Sequence, residues 1–165
     1  MTGVHTCALP IFKCWDECDK RFGRRYEQVQ SYKMKGAEIA MLTMGSMSDT
    51  AEVAIDALRE KGVPIGLLKL VLWRPFPYEE LKKAVKGVKS LIVMDRCVSF
   101  GGPGGPVASE IRSALYNEPG CPDITNYIFG LGGRRVTVED FIKMLDKVRL
   151  ADKKRPKENY IFSRG

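Results

Sequence analysis

The residues of this 165-residue chain that could do chemistry stand where apolar runs end. Gly45-Ser46-Met47-Ser48-Asp49 follows AEIAMLTM, Trp73-Arg74-Pro75-Phe76-Pro77 follows IGLLKLVL, and Asp95-Arg96 opens a glycine-rich loop after LIVM. Hydroxyls beside a helix start suit a bound anion, and they equally suit an ordinary helix cap. The loop RCVSFGGPGGPV invites a phosphate reading. A dinucleotide fingerprint fails at its third glycine, because Val107 follows Gly102 and Gly104 at that spacing. A P-loop fails as well, since Pro106 and Val107 stand where Lys and a hydroxyl residue belong. A phosphate nest works through backbone N–H donors, and Pro103 and Pro106 each remove one. The glycines, Gly101 and Gly102 among them, therefore read as tight backbone geometry that lets a helix approach its sheet. Arg74 and Asp95 both end strands at one edge, so the pattern predicts an Arg74–Asp95 ion pair and no catalytic set. There is no nucleophile elbow and no metal-ligand run, and the lone histidine, His5, lies in the first eleven residues.

Those eleven residues, MTGVHTCALPI, are aperiodic and carry no Asp, Glu, Lys or Arg. They resemble the translation of a sequencing-library adapter, so fold reasoning starts at Phe12, as for other non-native segments. The division that follows is residues 1–11 as a non-native segment and 12–35 as a linker helix with a first edge strand. Residues 36–150 form the domain proper, and 151–165 a basic tail in which Tyr160, Ile161 and Phe162 could serve as a docking hook.

The formal charge of +7 is concentrated at the ends. Residues 12–35 and 151–165 each carry +3, leaving +1 for residues 36–150, and no aromatic–basic interleaving appears between them. This argues against nucleic acid as a partner. No apolar run nears the ~20 residues of a membrane helix, and a soluble, cytoplasmic protein is expected. Cys14, Cys18, Cys97 and Cys121 do not fall into an iron–sulfur or zinc run and read as unpaired thiols in a reducing compartment.

Strand and helix patterns then alternate. Apolar runs predict strands over 29–34, 37–44, 64–72, 91–94 and 124–129. Helices are expected from Ser48 or Asp49 to about Lys61, from Pro77 to before Gly87, from Pro106, and from Thr137, whose Asp140 three residues on makes a capping box. In the segment before the first strand, Trp15, Phe22 and Tyr26 are candidate anchors. The alternation implies βαβ units in a three-layer α/β/α sandwich.

Three stretches, MGSMSDTAEVAIDALREKGVPIGLLKLVLWRPFP, LIVMDRCVSFGGPGGPVASEIRSALY and NYIFGLGGRRVTVEDF, closely resemble the C-terminal region of the alpha subunit of the pyruvate:ferredoxin oxidoreductase family. The resemblance runs from Trp15 to about Val148. It implies a transketolase C-terminal-like domain with a mixed, mostly parallel five-stranded sheet whose first strand is antiparallel. It also implies oxidation of pyruvate with coenzyme A to acetyl-CoA and carbon dioxide, with thiamine diphosphate, iron–sulfur clusters and ferredoxin, in a complex of several subunits. Within that scheme this chain binds no cofactor alone and supplies no catalytic residue. Gly45, Ser46, Ser48, Arg74, Pro75, Phe76, Asp95, Arg96, Ser99, Gly101, Gly102, Gly132, Gly133 and Arg134 are signature positions that shape subunit contacts near the active centre. Arg135 departs from the family, which usually has Asp there. The competing readings are a self-contained α/β domain that binds a small anion, and an alpha subunit acting on 2-oxoglutarate or a branched-chain 2-oxoacid.

Overall fold

The computed structural model describes the backbone of residues 4–152 and 160–162 and the side chains of residues 9–147. Helix α1 (Val4–Phe22) is followed by β1 (Val29–Tyr32), β2 (Ile39–Met44), α2 (Met47–Glu60), β3 (Ile65–Leu70) and α3 (Tyr78–Ala84). Then come β4 (Ser90–Asp95), α4 (Pro106–Leu115), β5 (Asp123–Ile128), α5 (Val138–Asp152) and β6 (Tyr160–Phe162). The strands form one sheet in the order β1-β3-β2-β4-β5-β6. Strand β1 runs antiparallel to β3, with Val29 opposite Leu70, and the other pairings are parallel.

All five expected strands are present, the first antiparallel at the edge. A sixth extends the sheet beyond the expected five, because Tyr160–Phe162 pairs with Asn126–Ile128. The segment expected as a docking hook supplies it.

Alternation along the strands divides the core into two faces. Met41, Leu67, Ile92, Met94 and Tyr127 point to one side, where Ala51, Ala54, Ile55 and Leu58 of α2 and Phe141, Met144 and Leu145 of α5 cover them. Ala40, Leu42, Leu68, Leu70, Leu91 and Val93 point to the other, beneath Leu81 of α3 and Val107, Ala108, Ile111 and Leu115 of α4. A period of two on the strands meets a period near 3.6 on the helices, and each helix buries a single stripe.

Helix starts show where local reading holds and where it slips. Thr137 Oγ1 accepts the Asp140 N–H at 3.3 Å while Asp140 Oδ2 accepts the Thr137 N–H at 2.9 Å, the reciprocal box expected for α5. Helix α2 begins earlier than expected, with Ser46 at the N-cap and no side-chain cap bond. Glu52 is drawn instead to Lys69 on β3, at 2.5 Å, and the Ser48 hydroxyl turns inward to the Thr43 hydroxyl at 2.9 Å. Pro77 sits at the N-cap of α3, one position before the helix, and Pro106 is at the first turn of α4.

Helix α1 includes residues 4–11, which aperiodicity had set aside, and ends at Phe22, short of Gln28. Trp15 packs on Phe12 and Tyr26, each with ring centroids 5.9 Å apart, while Phe22 is exposed and anchors nothing.

Candidate functional site

Strand order reverses direction between β2 and β4, since β3 lies on one side of β2 and β4 on the other. Ligands of open α/β sheets bind at such a switch point, outside the carboxyl ends of the strands. The loops that meet there are Gly45–Ser46 after β2 and Arg96–Gly105 after β4.

The β4 loop leads into α4, whose first N–H groups face inward. Asp95, the last residue of β4, fills that position with its own carboxylate. Oδ1 accepts the Val107 N–H at 3.0 Å and Oδ2 accepts the Ala108 N–H at 3.1 Å. Asn126, in the middle of β5, completes the arrangement. Its Nδ2 donates to Asp95 Oδ2 at 2.9 Å and to the Val93 carbonyl at 3.2 Å, and its Oδ1 accepts the Gly105 N–H at 2.8 Å. Both side chains are buried. Burial pushes the Asp95 carboxyl above the usual carboxylate value, and the bonds from Ala108, Val107 and Asn126 pull it partly back. Arg112 on α4 is shifted the other way: burial lowers it, against the attraction of Asp95.

The glycines around this carboxylate have distinct jobs. A Cβ on Gly105 would lie 2.1 Å from Asp95 Cγ, so only glycine admits the carboxylate to the helix end. A Cβ on Gly102 would lie 2.9 Å from that of Ser99. The loop folds back on itself there, with the Ser99 N–H on the Gly104 carbonyl and the Gly102 N–H on the Ser99 carbonyl, both at 2.9 Å. Gly101 has φ +70 and nothing near it.

The expected Arg74–Asp95 pair does not form. Arg74 forks onto Glu110 of α4, Nη2 to Oε1 at 2.8 Å and Nη1 to Oε2 at 2.9 Å, and stacks 4.6 Å above the Trp73 ring, whose Nε1 also donates to Glu110. The reason is reach and solvation: Glu110 is half-buried beside Trp73, whereas Asp95 is saturated by α4 and Asn126. Pro75 follows a cis peptide bond, and Phe76 packs on the α3–α4 side of the core.

Of the remaining signature positions, Gly45 turns the chain at φ +74 between β2 and Ser46. Gly132 and Gly133, at φ +65 and +77, form the turn after β5 that ends with the Arg134 N–H on the Leu131 carbonyl. Arg96 lies against that turn, its Nε 3.4 Å from where a Gly130 Cβ would stand. Asp95, Arg96, Ser99, Gly101 and Gly102 are thus neighbours of Gly132–Arg134, and the Trp73–Phe76 group is tied to the same helix through Glu110. Asn126, Gly105 and Glu110 were not singled out in the sequence. Asn126 had a signal, a polar residue inside the apolar strand ITNYIF, which is costly to bury without partners.

The fold and this edge define a class: a three-layer α/β domain of transketolase type in which the helix end facing the switch point is satisfied from within. The split-gene transketolase, in an inactive β4 tetramer, matches with a TM-score of 0.55 at 16% identity, over 75% of this chain and 42% of that one. Residues 37–141 match the model described as pyruvate:ferredoxin oxidoreductase core domain II, and the chain belongs to that family. Over 130 residues it is 40% identical to pyruvate synthase subunit PorA of Thermotoga maritima, covering 79% of this chain and 33% of the relative. Over 125 residues it is 41% identical to ketoisovalerate oxidoreductase subunit VorA of Pyrococcus abyssi, covering 75% of this chain and 31% of the relative. The chain therefore spans about a third of the length of these curated relatives.

The cofactors implied by the family do not fit the residues here. A diphosphate would need the N–H groups of α4 that Asp95, itself an anion, already holds. Among the described residues, no group of three or more His, Cys, Asp or Glu could hold a metal ion, and the described cysteines stand on α1, after β4 and before β5. No helix of the described residues is long and apolar enough to cross a membrane.

Proposed function

We propose that this chain is an assembly and active-centre-shaping module of a 2-oxoacid:ferredoxin oxidoreductase that acts on pyruvate. The enzyme reaction is the conversion of pyruvate and coenzyme A to acetyl-CoA and carbon dioxide, with release of a proton and two electrons that pass to ferredoxin. Thiamine diphosphate, the iron–sulfur clusters and coenzyme A are held by other parts of the complex, in the cytoplasm, and this chain contributes shape and contacts.

The observation that carries this reading is the Asp95 carboxylate seated on the α4 N-terminus. It turns a position suited to a ligand's phosphate into a rigid structural joint. The same observation weighs against the self-contained anion-binding alternative, because the α4 half of that site is filled. The equal likeness to a ketoisovalerate subunit supports a branched-chain 2-oxoacid as the second substrate class.

Coenzyme A-dependent reduction of a viologen dye by pyruvate tests the reading. The chain alone gives no turnover, and the assembled enzyme containing it does. Turnover by the purified chain unaided overturns the proposal, as does an assembled enzyme whose rate is unchanged when this chain is left out. Ketoisovalerate and 2-oxoglutarate in the same assay separate the substrate classes.

A further inference from the structure

We propose that the carboxyl-end edge of the sheet is the docking face for the other subunits, with Phe100 as its anchor and an acidic, apolar-pocketed protein surface as its occupant. This rests on the assembly reading above and assigns it a face. Strands β2, β3, β4 and β5 all end at this edge. The loops that leave them span residues 44–48, 71–77, 96–105 and 129–137. Those loops carry Arg74, Arg96, Arg134 and Arg135 and not one Asp or Glu. Glu110 neutralises Arg74. Arg96, Arg134 and Arg135 are exposed, and among the described residues no carboxylate pairs with them.

Apolar side chains stand exposed among these arginines. Phe100 is 100% exposed, and Met44, Val71 and Leu131 are each exposed as well. Met44 lies opposite Leu70, the residue before Val71, and Asp95 lies opposite Ile128, so the four fall in two adjacent pairs of loops. An aromatic ring held wholly in water is unfavourable in the free chain and becomes a large gain when a pocket receives it. The loop beneath it is preorganised by the Ser99–Gly104 and Gly102–Ser99 bonds and by Asp95 and Asn126, so little ordering remains to be done on binding. Aromatic anchors flanked by arginine are the composition of interface hot spots.

Charge selects the occupant. A second copy of this chain meeting the same face would set arginine against arginine, within a molecule of net charge +7. A carboxylate-rimmed pocket on another subunit satisfies all three arginines and the ring together.

The test uses the assembled enzyme with Phe100→Ser, Arg96→Glu, Arg134→Glu and, as control, Tyr116→Ser. Tyr116 is 81% exposed at the far end of α4, on the opposite edge. Subunit association is read by co-elution across a dilution series at low and high salt, with thermal unfolding as the fold check. Phe100→Ser weakens association at least tenfold with an unchanged unfolding midpoint. The charge reversals weaken it at least tenfold at low salt and less at high salt, because screening shrinks the contribution that was lost. Tyr116→Ser stays within twofold. Association indifferent to Phe100 and to the arginines overturns the face and leaves the assembly reading standing, whereas failure of the wild-type chain to assemble overturns both. Inorganic diphosphate binding that the charge reversals abolish, with subunit association intact, makes the face a small-anion site and overturns the docking proposal.

Discussion

Asp95 stands between two competing pulls, and its surroundings decide which prevails. Burial opposes its charge, and three N–H donors support it. Asp95→Asn keeps the shape but sets an amide NH₂ against donors. With at least one charge-assisted bond lost and a buried donor left unpaired, the variant is destabilised by about 3 kcal/mol in urea unfolding at neutral pH. The pH dependence has a definite sign. The folded carboxyl titrates above its ordinary value near 3.8, so the fold holds that proton more tightly than the unfolded chain does. Asp95 therefore makes stability fall as pH rises from about 3.8 through the raised value, with no further change above it. Asp95→Asn removes that slope, and the difference between the two stability curves over acidic pH measures it. Asp140 behaves oppositely, because the Thr137 N–H lowers it. Its contribution is present above the ordinary carboxylate value and is lost as pH falls through the lowered one. Thr137→Ala, which removes the reciprocal half of that box, destabilises by about 1 kcal/mol in the same measurement.

At the scale of elements, two glycines of one loop separate crowding from backbone strain. Gly105→Ala drives a Cβ into the Asp95 carboxylate and pushes β4 and α4 apart. Gly101→Ala meets nothing and suffers only its positive φ. The first is expected to destabilise by about 3 kcal/mol, as overpacking of a closed site does, and the second by about 1 kcal/mol. Equal effects would mean that the joint is looser than its distances indicate. Element identity was legible in advance: strands β2 to β5 announced themselves as apolar runs, and α5 by its capping box. Helix α2 was placed too late, because Asp49 and Glu52 look like a capping box in sequence. Lys69, seventeen residues beyond Glu52, draws that side chain to the sheet instead.

Across the whole molecule, β6 covers what would otherwise be the open edge of β5. Removing residues 153–165 exposes that row of N–H and C=O groups, a liability for any sheet. Amide exchange in Asp123–Ile128 is then expected to quicken at alternate residues, those whose N–H groups face β6, with β2 and β3 unaffected. Uniform protection along β5 in the shortened chain would place its stability elsewhere.

The division between sequence and structure follows from range. Periodicity, caps and turn residues act over a few positions, so the alternating elements, the two-faced sheet and the family signature could all be read along the chain. Partners that meet only through space could not. Asp95 with Asn126, Arg74 with Glu110 in place of Asp95, and β6 beside β5 each join residues more than thirty positions apart. Which of several nearby charges or strands becomes the partner depends on burial and on crossover geometry, and neither has a local imprint. The helix end that looks like a ligand site from its glycines is closed because folding brings a carboxylate onto it.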